Sequence, residues 1–219
     1  MNVVESYDHL IDLLAYSFHY YDKRDKNSRI AGLLFAQPNN FTKDEILSGI
    51  DYFHNRSGTA VDFYCVGYQP DFYDTKLPAV AKVADNNWSF NPKIFNTLRQ
   101  QTEERTKWKY SGSVELVLFN SYLDNITGKV TLDFSDALSI DLKKAKDDKL
   151  ISSVGEIFEK IFSVAESISS DNPAKEMSIK LIGDTGKKSF VNILFQLLPK
   201  AIQEDTRKVY LFGTSNLGQ

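Results

Sequence analysis

Cysteine is almost missing from this 219-residue chain. Cys65 stands alone, which excludes an internal disulfide, a CxxC redox pair and any zinc site built on several thiolates. So little cysteine suits a reducing compartment. Histidine is scarce as well: His9, His19 and His54 are scattered, and His9 and His19 do not share a helix face closely. A metal centre wants several ligands converging on one face, so no metal and no cofactor is expected. A surplus of positive charge is also lacking, since 26 Lys and Arg stand against 29 Asp and Glu for a formal net charge of −3. Neutralising many phosphates needs a basic face, so nucleic acid is not expected as a partner. Long apolar runs are absent too. The first residues lack the basic start and unbroken apolar stretch of a signal peptide. No segment approaches the length that crosses a bilayer. A cytoplasmic location and no membrane partner are the expectations.

What is present is ordinary globular material, with 42% hydrophobic and 25% charged residues. The length is enough to bury a sizeable core in one large domain, or in one domain with an added subdomain. Fifteen Phe and 11 Tyr supply large apolar areas for that core.

Hydrophobic periodicity organises the chain. Residues 4–21 read as a helix with Leu10, Ile11, Leu13, Leu14 and Phe18 on one stripe. Ile30–Ala36 reads as a buried strand. Pro38, Asn39 and Asn40 break it, and Thr42-x-x-Glu45 has the pattern of a capping box opening the next helix, which carries Ile46, Leu47, Ile50 and Phe53. Ala60–Tyr68 reads as a second strand, and 69–91 as an irregular insertion punctuated by Pro70 and Pro78. Pro92 suits the first turn of a helix running to about Arg105. Val114–Asn120 and Ala137–Leu142 read as third and fourth strands, followed by a strongly amphipathic helix over Leu150–Ile168. Ser170–Pro173 marks a boundary. Beyond it a C-terminal extension, 171–219, is expected to pack on the core as strand, helix and strand.

The order strand, helix, strand, helix, strand, strand, helix from Ile30 to Ile168 resembles the thioredoxin-like fold. The resemblance implies an α/β architecture, a βαβαββα core over residues 1–170 with an N-terminal helix, in which a βαβ unit lies beside a β-hairpin. The active-site signatures of that fold are missing. Its oxidoreductases place a cysteine at the start of the first core helix, where this chain reads Gln37-Pro38-Asn39-Asn40-Phe41-Thr42. They also keep a cis-proline before the third strand, where this chain reads Lys109-Tyr110-Ser111-Gly112-Ser113. Disulfide exchange is therefore not expected.

The remaining candidates are few, and no catalytic residue is expected among them. Cys65, mid-strand among aromatics, reads as a small buried hydrophobe. Gly183-Asp184-Thr185-Gly186-Lys187-Lys188-Ser189 has the flavour of a phosphate loop, but only two residues separate Gly183 from Gly186 where that loop needs four, and Lys188 splits Lys187 from Ser189. Lys187 and Lys188, with Arg105, remain candidates for holding an anion at a helix N-terminus. Arg99, Arg105, Lys107, Trp108, Lys109 and Tyr110 mix charge with aromatics, but Glu103 and Glu104 dilute them, and the segment reads as a solvated helix end with Trp108 packed on the sheet. Asp133, Asp136 and Asp141 flank a strand with no histidine partner. Phe72, Tyr73, Trp88 and Trp108 are candidate interface residues, being of the types enriched at binding hot spots. The expected function is a non-catalytic scaffold that binds another protein within a larger bacterial-type assembly. An enzyme or binding protein for a phosphorylated or anionic small molecule is the alternative, and a weak nucleic-acid binder comes last.

Overall fold

A computed structural model of the chain describes residues 4–21, 28–57, 61–71, 76–83 and 86–169. Its centre is strand β1 (Ser28–Phe35), buried along nearly its whole length. A strand covered on both faces reads as a near-continuous apolar run, which is what Ile30 to Phe35 provides. Strand β2 (Val61–Cys65) pairs parallel to β1, with Ile30 opposite Val61 and Leu34 opposite Cys65. On the other side of β1, strand β6 (Glu115–Leu123) runs antiparallel, and β7 (Val130–Asp141) runs antiparallel to β6. The spatial order is β2-β1-β6-β7.

Alternation of side chains divides the core into two. Ile30 and Leu34 of β1, with Leu116 and Leu118 of β6, face one side. Ala31, Leu33 and Phe35, with Val117 and Phe119, face the other. The first face is covered by α2 (Ile50–Ser57), α4 (Leu142–Asp147) and α5 (Val154–Ser169), and the second by α1 (Tyr7–Tyr21) and α3 (Pro92–Arg105). Helix α5 contributes Val154, Ile157, Phe158, Ile161 and Phe162, spaced by three and four, and its Phe158 stacks on Phe53 of α2 at 4.5 Å. Each such side chain contributes about 1.5–3 kcal/mol on burial. Gly32 in β1 makes the fit tight. A Cβ there would lie 2.6 Å from the Phe63 ring and 3.0 Å from Leu118, so only glycine lets that ring cross the strand.

Several sequence expectations need correction. The stretch 69–91 is not irregular: β3 (Tyr68–Pro70), β4 (Ala79–Val83) and β5 (Asn86–Phe90) form a small antiparallel sheet in the order β3-β5-β4. Pro70 sits at the end of an edge strand and Pro78 just before another, positions where a missing N–H breaks no ladder bond. The prolines hid the strands. The fourth strand is also longer than Ala137–Leu142. Its register jumps, with Asn120 opposite Asp133 but Leu118 opposite Leu138, so the extra β7 residues break the period-two pattern. Leu150 to Ser153 precede α5 rather than open it, and α4 went unread. Its signals are Asp141, whose Oδ1 accepts from the Lys144 N–H at 2.8 Å, and the pairs Lys143–Asp147 and Lys144–Asp148. The helix at Pro92 is present, capped by Asn91, whose Oδ1 accepts from the N–H groups of Lys93 and Ile94. The extension 171–219, with its expected strands and helix, lies outside the described residues.

Candidate functional site

The open end of a βαβ unit, beyond the carboxyl ends of its parallel strands, is where α/β proteins hold ligands. Here that edge is formed by the segment after β1, the turn after β2, the loop 108–113 and the last residue of β7. Residues Gln37 to Asn40 are exposed and lead into a π-helical turn (Thr42–Ile46) and a 3-10 turn (Leu47–Gly49) before α2. The capping box is not formed. Asn39 does the capping, its Oδ1 accepting from the Thr42 N–H at 2.8 Å, while the Thr42 hydroxyl donates to the Gln37 carbonyl. Glu45 turns away and accepts from Lys146 and from the Val154 N–H, fastening this segment to α4 and α5. Partial burial acts to raise the Glu45 carboxyl, but bonds from Lys146 and Val154 outweigh it and hold the group below its ordinary value.

Opposite this segment lie two carboxylates. Glu115 and Asp141 face each other across β6 and β7. Glu115 is fully buried and accepts from Trp108 Nε1 at 2.6 Å, from the Ser111 N–H at 2.8 Å and from the Ser111 hydroxyl at 2.6 Å. Asp141 accepts from the Ser113 hydroxyl at 2.7 Å besides capping α4. Tyr110 bridges the same loop by donating its hydroxyl to the Ser113 carbonyl. Burial pushes the Tyr110 phenol up to about 12, with the Glu115 and Asp141 charges acting the same way. A carboxylate pair serves acid–base chemistry only where an oxygen can reach a substrate proton. Here these two carboxylates brace the 108–113 loop.

The one thiol nearby is inert. Cys65 ends β2 within the first core, and burial pushes it up to about 12. Beyond the Gly67 turn, where φ is +83°, Tyr68 is buried with its hydroxyl bonded to nothing, and burial raises that phenol too.

No family model, curated protein or solved structure matches this chain. Function must therefore be read from its own residues. Among the described residues, no group of three or more His, Cys, Asp and Glu side chains is placed to hold a metal ion, and no helix is long and apolar enough to cross a membrane.

The residues singled out in sequence do not assemble into one site. Arg105 stands on α3 with its guanidinium 4.6 Å from the centre of the Tyr7 ring and donates to the Gln101 carbonyl, so it serves the α1–α3 contact. Lys187, Lys188, Phe72 and Tyr73 lie outside the described residues. Trp88 and Trp108, both candidates for an interface, are buried. Trp88 is enclosed between the small sheet and the first core, and Trp108 packs on Phe35 at 4.6 Å while holding Glu115.

Two features were missed. Arg29, only 3% exposed, donates from Nε to Asp62 at 2.7 Å, and Ser17 of α1 donates to the same carboxylate at 2.9 Å. Nothing in the spacing of Arg29 and Asp62 signals that β1 and β2 bring them side by side. The second is a pair of rings on α1. Tyr16 and Tyr20 stack at 4.1 Å with an interplanar angle of 23°, yet remain 49% and 66% exposed. Their four-residue separation was the available signal.

Proposed function

We propose that this chain is a non-catalytic α/β scaffold with a thioredoxin-like core, and that it works by binding another protein. Three features support the core assignment. A parallel β1–β2 pair joined through α2 lies beside the antiparallel β6–β7 pair, β1 and β7 run the same way with β6 opposed, and helices cover both faces. The segments that carry cysteine and proline in redox members carry neither here.

The observation that carries the binding function is a contrast in how polar and aromatic groups are used. At the carboxyl edge, Glu115, Asp141, Asn39 and Thr42 spend their hydrogen bonds on the frame itself. On α1, two stacked tyrosines are presented to solvent. Tyrosine is enriched at binding hot spots because it offers a large rigid area and a polar tip. Co-purification from the native host, paired with a turnover screen over hydrolase and transferase substrates, tests this. A stoichiometric protein partner without turnover is the expected result. Turnover abolished by Glu115→Gln or Asp141→Asn, with the fold intact, would overturn the reading.

A further inference from the structure

We infer that the outward face of α1 docks a basic segment of another protein, with Tyr16 and Tyr20 receiving its cationic side chains and Asp8 and Asp12 pairing with them. This inference rests on the scaffold reading and names the chemistry of the partner. Asp8, Asp12, Tyr16 and Tyr20 recur every four residues and are all exposed, so they form one oblique stripe about 18 Å long. The two rings are mutually stacked and largely open to water. Such a stack orders two side chains, and burial in the core does not account for it.

Charge points to the occupant. Elsewhere the surface helices match acid with base one turn apart, as in Arg99–Glu103, Lys143–Asp147, Lys144–Asp148 and Lys160–Glu156. Helix α1 has no Lys or Arg between Tyr7 and Tyr21, so its aspartates have no such neighbour on the helix. Asp8 sits in the first turn, where the helix dipole favours a negative charge; Asp12 lies a turn further on, where that effect has faded. An aromatic face beside carboxylates suits a guanidinium, which stacks on a tyrosine ring while its N–H groups pair with a carboxylate. Phosphate groups of nucleic acid or anionic lipid would meet like charge.

Fluorescence anisotropy of the full chain with a labelled peptide alternating arginine and alanine tests the inference, against a glutamate–alanine peptide. The arginine peptide is expected to bind and the glutamate peptide not to bind. Tyr16→Ala with Tyr20→Ala should weaken binding about tenfold, the loss of two exposed cation–π contacts. Asp8→Asn with Asp12→Asn should weaken it several-fold and flatten its salt dependence. Glu104→Gln, at an exposed acid on α3, should leave it unchanged, and circular dichroism confirms that each variant is folded. No binding by the wild type, binding undiminished by the stripe variants, or tyrosine-dependent self-association that shows a second copy on this face would overturn the inference. A photocrosslinker at position 20 separates the two failures. If it captures a discrete protein while the arginine peptide is ignored, the scaffold reading stands and the partner is not basic.

Discussion

Truncating Glu115 to alanine removes a carboxylate that four donors share: Trp108 Nε1, the Ser111 N–H and hydroxyl, and, at a long 3.5 Å, the Ser139 hydroxyl. A hydrogen bond to a charged group contributes about 1.5–3 kcal/mol, but the losses are unequal. Ser111 is exposed, so its N–H and hydroxyl regain water once the carboxylate is gone. Trp108 is fully buried, and its Nε1–H is left without an acceptor. That stranded donor costs about 1–3 kcal/mol, and with the vacated volume the total reaches about 3–5 kcal/mol. For a chain of this length the loss corresponds to a fall in Tm of about 10 °C. Glu115→Gln keeps an acceptor for the indole but turns an amide N–H₂ toward Ser111, so it should cost about 1–2 kcal/mol. Urea titration followed by far-ultraviolet circular dichroism reads both values, with m unchanged if only stability has moved. A Glu115→Ala loss below about 1 kcal/mol would refute the claim that this carboxylate braces the 108–113 loop.

Further outcomes follow from other residues. Cys65 should stay unmodified by a thiol reagent at pH 8 in the folded chain and react only as fast as the chain opens, because burial holds its thiol near 12; prompt labelling would contradict its placement. Asn120 is fully buried with neither amide atom bonded, so Asn120→Leu, similar in volume, should raise stability by about 1–2 kcal/mol in the same urea titration. Glu45 has its carboxyl held low in the folded state. Its contribution is therefore complete above the ordinary glutamate value, and it disappears as pH falls through the lowered folded value. Glu45→Gln should accordingly lower stability at neutral pH and narrow the gap from wild type under acid, as Tm measured across pH will show.

Much of the architecture was legible because burial imposes a period. The stripe of α5 could face inward in only one way, and the apolar run of β1 called for cover on both faces. The proline at the start of α3 marked that helix locally. The losses arose where tertiary contacts overrode local pattern. Thr42 and Glu45 have the spacing of a capping box, yet Lys146, remote in sequence, draws Glu45 away. The prolines flanking β3 and β4 read as breakers because an edge position cannot be seen in one dimension. Trp108 could be read as packing on the sheet, but only the fold reveals the buried carboxylate that its indole meets. The same holds for Arg29 and Asp62, brought together by a parallel pairing that no local signal encodes.

The most direct measurement places a photoreactive benzoylphenylalanine at Tyr20 on α1 and, separately, at Asn39 on the carboxyl edge, in the full chain within its native host. A single discrete crosslinked protein from position 20 and none from position 39 is the predicted result. Crosslinks concentrated at position 39, or a small-molecule adduct there with position 20 silent, would contradict the account and return the carboxyl edge to the centre of function.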